Sequence, residues 1–251
     1  MKTIFPKDQI TTVLTSCGRW EFLVQSLDTF LAHHEPARFI LVEDSADRAF
    51  AKRIADRYPE IEVLLNEPRL GQHRAIDKAY GMVMTPYIVH LEDDWFFSGA
   101  MDVDDAKRLL EEKPDVVSVC FSVFRRLKLR QRVFKSVFRH GAHRYANLDR
   151  AHRDWHGYSF YPTLLRRATW EAEGPYARFQ NERAISRYMK DRGKWVAYQL
   201  PGVGIHVGSG HSVFDPARAG ERRRVTGGWR RRLEGKKPFG SEGTSRLGEN
   251  R

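Results

Sequence analysis

Cysteine is nearly missing from this chain of 251 residues: there are two, Cys17 and Cys120. That excludes a disulfide framework and a four-cysteine zinc site, and both thiols are expected as small core fillers. Long apolar runs are missing too. No stretch reaches about eighteen apolar residues, and the mean hydropathy is −0.57, so no spanning helix is expected. The opening MKTIFPKDQITTVLTS has neither a contiguous apolar segment nor a small-residue cleavage site, which points to a cytoplasmic protein. No internal repeat is present. After the first strand the sequence reads TSCGRWEFL, without G-x-G-x-x-G or a P-loop, which disfavours NAD and P-loop ATP chemistry.

What remains is a globular composition, 41% hydrophobic and 30% charged, long enough for one large domain. The formal charge of +11 is unevenly placed. Residues 125–153 carry ten Lys or Arg against one acid, Asp149, and residues 217–251 carry eleven against four Glu. These two segments exceed the total charge, so the rest of the chain is net acidic. Such basic blocks favour phosphate-rich partners: nucleic acid, anionic lipid or a phosphorylated substrate.

Along the first hundred residues, strand and helix signals alternate. Strands are expected at 10–16, 37–45, 61–68 and 86–95, with helices at 20–33, 47–58 and 71–84 between them. This spacing implies right-handed βαβ units, a parallel sheet, and ligands outside the carboxyl ends of the strands. Further on, a helix is expected at 103–112, a strand at 115–124, a strand entering a helix at 159–174, a short helix at 181–190, and a strand followed by a glycine-rich turn at 195–208. The segment 125–156 reads as a long loop or short hairpin. From Asp215 the chain is rich in Gly, Arg and Ser without apolar period, as in a loosely docked tail.

Two acid clusters close apolar strands and should meet on one sheet edge. Glu92-Asp93-Asp94 ends the fourth strand; adjacent carboxylates repel unless a cation sits between them, and hard oxygens suit Mg²⁺ or Mn²⁺ shared with phosphates. Glu43-Asp44-Ser45 ends the second, where an acid can accept hydrogen bonds from a nucleobase or ribose. The plain reading of either cluster is a solvated acidic turn.

In order and spacing, TTVLTSCGRWEFLVQSLDTFL, ILVEDS and NEPRLGQHRAIDKAYGMVMTPYIVHLEDDW resemble the nucleotide-binding half of a GT-A glycosyltransferase close to family 2. The resemblance covers residues 10–97: Thr15, Ser16 and Arg19 after the first strand, the Ser26-Leu27 helix register, Glu43-Asp44, the Gly71-to-Ala75 helix start, and an Asp-x-Asp-type motif. The family's usual Asp-Asp-Gly-Ser is Glu-Asp-Ser here, and Asp-x-Asp is Glu-Asp-Asp.

The resemblance implies a single α/β domain of GT-A fold over residues 1–214, with a mostly parallel central sheet flanked by helices. Residues 1–100 would form its nucleotide-sugar half and 101–214 its acceptor half, followed by a basic extension, 215–251. It implies a UDP- or GDP-sugar donor, Mn²⁺ or Mg²⁺ as cofactor, and inverting transfer to a glycan or glycolipid acceptor; the charge of the basic segments alone suggests an anionic glycan or lipid-linked one. Asp94 would coordinate the metal, with Asp93 beside it and His206 completing the site. Glu92 and Asp93 would lie near the ribose, Glu43 and Asp44 near the base. Thr15, Ser16 and Gln72 would line the donor site, and Arg19 and Arg74 would neutralise phosphate. Glu182 is the implied catalytic base, at a helix start where an acid also complements the helix dipole; Asp154 is the reserve.

The basic segments would hold the anionic acceptor or touch the inner membrane surface. A nucleic-acid-binding protein is the reading from another class, but no helix-turn-helix, zinc finger or RNP motif is present, and the strand-end acids would go unexplained. A sugar-1-phosphate nucleotidyltransferase is a third; its Gly-rich, Arg-Leu loop is poorly matched by TSCGRWEFL. Trp95, Trp155, Tyr158 and Trp170 are candidates for stacking on sugar rings.

Overall fold

A computed structural model of the chain describes residues 2–123 and 129–208. Strand β1 (Thr3–Phe5) leads into β2 (Ile10–Ser16), α1 (Trp20–His33), β3 (His34–Pro36), β4 (Phe39–Glu43) and α2 (Arg48–Arg57). Then come β5 (Glu62–Leu65), α3 (Gln72–Gly81), β6 (Tyr87–Glu92), β7 (Trp95–Phe97), α4 (Val103–Glu112), β8 (Val116–Cys120) and α5 (Leu129–Phe134). The described chain ends through β9 (Ser136–His140), β10 (His143–Asn147), β11 (Thr163–Arg166), α6 (Arg167–Glu173), α7 (Glu182–Lys190), β12 (Trp195–Leu200) and β13 (Gly204–His206).

Nine strands form one sheet in the order β5-β4-β2-β6-β11-β8-β12-β10-β9. The first four pair in parallel, as the alternating pattern requires. Across the whole sheet only β11 and β10 run against the others. Side chains alternate between two apolar layers. Leu14, Leu41, Val89 and Leu91 pack with Leu23, Leu27 and Phe30 of α1 and with Leu109 and Leu110 of α4. Val13, Ile40, Val42 and Ile88 pack on the other side with Ile76, Ala79 and Tyr80 of α3 and with Ile185 and Met189 of α7. A sheet buried on both faces accounts for strands that read as continuous apolar runs.

Caps set several helix starts. Asp47, Asp102 and Asn181 each accept the backbone N–H three residues on, at 3.0, 2.9 and 3.0 Å. Ser26 in α1 has a tertiary role: its hydroxyl donates to the Trp95 carbonyl at 2.7 Å and accepts the Trp95 N–H at 2.8 Å. The chain beyond β6 is thereby tied down beside α1.

The region 125–156 is where sequence and structure differ most. The hairpin is there, as β9 and β10 closing the sheet edge, but α5 precedes it and was not expected. Arginine at every second or third position hides the period that would have revealed that helix. The expected basic extension, 215–251, lies outside the described residues.

His34, where α1 ends, has a defined protonation state. Nδ1 donates to the Phe30 carbonyl at 2.8 Å and Nε2 accepts the Met101 N–H at 2.8 Å, so the ring is neutral. Burial holds its pKa down to about 4. Between that value and the ordinary pKa of about 6.5 the unfolded chain binds the extra proton, so stability falls as pH falls through this window. From pH 7 to pH 5 the site should cost about 2 kcal/mol. Urea unfolding at the two pH values should show a loss larger by that amount in the wild type than in His34→Gln.

Candidate active site

The carboxyl ends of β2, β4 and β6 lie side by side, with Thr15 opposite Glu92 and Ser16 opposite Glu43 in the register. This assembles both expected acid clusters on one edge. They have different jobs there.

Glu43 and Asp44 are turned into the protein. Glu43 is fully buried; its Oε1 accepts the N–H groups of Gly18 and Ser45, both at 2.9 Å, while Oε2 is buried without a hydrogen-bond partner among the described residues. Asp44 accepts from Asn66 Nδ2 at 2.9 Å and from the backbone N–H groups of Leu70 and Gly71, each at 2.8 Å. Arg69 stands 3.6 Å from it. The pair therefore clamps the loops on either side. Asp44 delivers the chain into α3 through Gly71, whose φ of +84° favours glycine. Apart from Glu43 Oε2, the carboxylate oxygens of these two acids, expected to lie near a base, take their hydrogen bonds from within the fold.

Asp93 and Asp94 sit in the turn between β6 and β7. Arg19 reaches them from the start of α1: Nε and Nη2 donate to Asp93, Nε at 3.1 Å, and Nη1 donates to Asp94 at 3.0 Å. Arg19, expected to face phosphate, is thus the counter-charge of the acid turn. Asp93, expected also as a metal ligand, has both oxygens on Arg19. Burial lifts the Asp93 pKa to about 6 against the pull of that guanidinium.

Asp94 also meets an imidazole. Strand β13 pairs antiparallel with β7, placing His206 opposite Trp95, and His206 Nε2 lies 3.4 Å from Asp94 Oδ2. Burial opposes ionisation of Asp94, but His206 and Arg19 outweigh it and hold the carboxyl below its ordinary value. Asp94 Oδ1 is buried with no hydrogen-bond partner among the described residues. The Val207 N–H closes on the Asp94 carbonyl at 2.9 Å, and a Cβ on Gly208 would stand 2.2 Å from Asp94 Oδ2. Only glycine permits that approach without a shift.

Glu92 lies beside them, held by Gln72 Nε2 at 2.9 Å and by the Trp95 indole N–H at 3.4 Å. Burial, then Asp94 and Glu182, push its pKa well up. Glu182 enters the same cluster from the first turn of α7. Its Oε1 accepts the Phe160 N–H at 3.1 Å, and burial raises its pKa against that bond and the Ser159 hydroxyl. Asp77 of α3 supports this arrangement by binding the Trp170 indole at 2.8 Å and the N–H groups of Tyr176 and Ala177 at 2.8 and 2.7 Å.

Asp154 is not brought to the cluster; it pairs with Arg187 at 2.6 Å. Arg74 is exposed on α3. Of the aromatic candidates, Tyr158 is buried among Phe160 and Tyr176, Trp170 is bound to Asp77, and Arg183 lies 5.7 Å over Trp155. Trp95 is buried, packed 5.2 Å from both Tyr161 and His206. Tyr161 itself is 42% exposed beside Glu92, Asp94 and Glu182, and sequence reasoning missed it. Only its place two residues before a strand could have drawn attention to it.

As a test for a divalent cation, the donor set is a carboxylate with a buried, unpartnered oxygen and an imidazole beside it. No group of three or more His, Cys, Asp or Glu suited to a metal occurs among the described residues. Two protein ligands of this type fit a cation that takes its remaining ligands from phosphate oxygens.

Three solved structures share this fold. GalNAc-T7, solved with UDP, GalNAc and Mn²⁺, superposes with a TM-score of 0.57 at 10% identity, covering 80% of this chain and 44% of that one. The mannosyltransferase PcManGT from Pyrobaculum calidifontis, in complex with GDP-Man and Mn²⁺, gives 0.54 at 14% identity, with 79% and 56% covered. TarS 1–349 from S. aureus gives 0.52 at 12% identity, with 80% and 60% covered. The present chain thus spans about half the length of these solved proteins. No curated protein sequence matches it. The fold is of the GT-A type. The glycosyl transferase family 2 profile matches residues 11–172, and the chain belongs to that family.

Arg19→Ala would leave Asp93 buried without its partner. Removing one side of such a pair should cost about 3 kcal/mol at pH 7.5. The penalty should shrink at pH 5, where Asp93 takes up a proton, and denaturant titration at the two pH values measures it.

Proposed function

We propose that the protein is a metal-dependent glycosyltransferase that moves a sugar from a nucleoside-diphosphate sugar to a glycan or glycolipid acceptor with inversion. The observation that carries this reading is the meeting of Asp94, His206 and Glu182 at the carboxyl edge of the parallel strands. Asp94 and His206 would hold Mn²⁺ or Mg²⁺, which when bound stabilises the diphosphate leaving group. The structures of GalNAc-T7 and PcManGT, solved with nucleotide or nucleotide-sugar and Mn²⁺, support such a donor.

The remaining chemistry belongs to this chain. Glu182 accepts the proton of the acceptor hydroxyl; the Phe160 N–H orients its carboxylate for that transfer. Gln72 and the Trp95 indole orient Glu92 at the donor side. Thr15, Ser16 and the exposed Arg74 flank the same edge and complete the donor site. Arg69, beside Asp44 and about one-third exposed, adds a cation there. Tyr161 offers its exposed ring to a sugar. The basic sequence of 125–153 would favour an anionic acceptor on the cytoplasmic side.

Two measurements test this. Thermal shift with UDP, GDP and their sugars should give a Mn²⁺-dependent rise for at least one, worth about 2.7 kcal/mol at a hundred times Kd. Asp94→Ala should abolish it; no metal-dependent shift in the wild type would sink the reading.

Glu182→Gln should keep the shift and lose about 10²- to 10⁴-fold in kcat. The base works ionised and its pKa is raised, so wild-type kcat should fall on the acid side of a point above the ordinary glutamate value of about 4.3. The pH profile of Glu182→Gln should lack that limb.

A further inference from the structure

Large exposed apolar side chains are few among the described residues, and they are not scattered. Of six, three lie on the six-residue helix α5: Leu129 at 75% exposure, Val133 at 64% and Phe134 at 52%. Leu129 and Val133 stand one turn apart on one helix face, and Phe134 is next to Val133. Single exposed apolar residues are ordinary; three on a two-turn helix mark a contact surface.

The surrounding sequence names the chemistry of the partner. No Asp or Glu occurs from Val116 to Leu148, while Arg125, Arg126, Lys128, Arg130, Arg132 and Lys135 bracket and interrupt the apolar residues. A nucleic acid would meet the cations but gives Leu, Val and Phe little to bury against. An apolar protein groove would take those three but makes no use of the basic sequence around them. The headgroup boundary of an anionic bilayer answers both, with phosphate for a basic sequence and acyl chain for the apolar side chains. No helix among the described residues is long and apolar enough to cross a membrane, so contact through α5 would be with one face of the bilayer.

We propose that α5 is a membrane-docking element that inserts Leu129, Val133 and Phe134 at the interface of an anionic bilayer. The proposal goes beyond glycosyl transfer and is read without donor or metal, so the two can fail separately.

The test is sedimentation of the full chain with vesicles of phosphatidylcholine alone or equimolar with phosphatidylglycerol. The wild type should pellet with the anionic vesicles and stay in solution with the neutral ones. The triple variant Leu129→Ser/Val133→Ser/Phe134→Ser should bind about tenfold or more weakly with an unchanged melting temperature. The replaced side chains are all at the surface, and an unchanged far-UV circular dichroism spectrum gives a second check on its fold. Each cation near an anionic surface strengthens binding about fivefold, so Arg130→Gln/Arg132→Gln should also weaken it, and added salt should do so in both proteins.

Undiminished pelleting of the triple variant would overturn the proposal, whether or not deletion of 215–251 then abolished it. So would a wild type that ignores anionic vesicles while shifting a single-stranded RNA. A wild-type dimer in size-exclusion chromatography that the triple variant converts to monomer would assign the face to a second copy and overturn it too.

Discussion

Three consecutive carboxyl groups at the end of β6 have to share a water-poor sheet edge, and much of the long-range bonding in this protein answers to that requirement. Glu92, Asp93 and Asp94 take their partners from three distant parts of the chain: Gln72 at the start of α3, Arg19 at the start of α1, and His206 at the end of β13. Like charges this close raise one another's proton affinity, and burial adds to the effect. Without a guanidinium on one aspartate and an imidazole on the other, the turn would either protonate or open.

The rest of the site is scaffolding for that edge. Ser26 of α1 ties down the backbone of Trp95, the residue that follows the acids. Glu43 Oε1 and both Asp44 oxygens accept backbone N–H groups of the neighbouring loops, which sets the entry into α3 and so the position of Gln72. Asp77, further along α3, holds the segment before α7 and thereby the approach of Glu182. A division of labour results: one acid doublet builds loops, the acid triplet gathers long-range partners at the strand ends, and a lone glutamate at a helix start, the proposed base, is held by the Phe160 N–H.

Much of this was legible in the sequence, and for specific reasons. Apolar runs of five to seven residues alternating with periodic segments define buried parallel strands and covering helices, and β2, α1 and α4 begin and end where that pattern does. Acids at the ends of two such strands had to share an edge, because parallel strands put all their carboxyl ends together. The role of each acid was not legible. Glu43-Asp44 and Asp93-Asp94 look alike as text; they differ in which donors the tertiary fold brings up, backbone amides in one case and Arg19 and His206 in the other. Only the family resemblance ranks Glu182 above Asp154 in the sequence. Asp154 was claimed by Arg187 and Glu182 by the Phe160 N–H. The region 125–156 was obscured because frequent arginine masks periodicity, so α5 appeared only in the structure.

The sequence by itself determined the α/β class, the edge on which the acid clusters gather, and the residue types available there, since apolar period and strand direction are local properties. Tertiary structure alone decided the pairings: Arg19 with the aspartates, His206 with Asp94 across residues far apart in the chain, Tyr161 with the acid cluster, and apolar side chains of α5 with solvent. Those outcomes depend on distances and burial between segments separated by many tens of residues. The free energy of an ion pair or an exposed apolar face is set by what surrounds it, which no local pattern records.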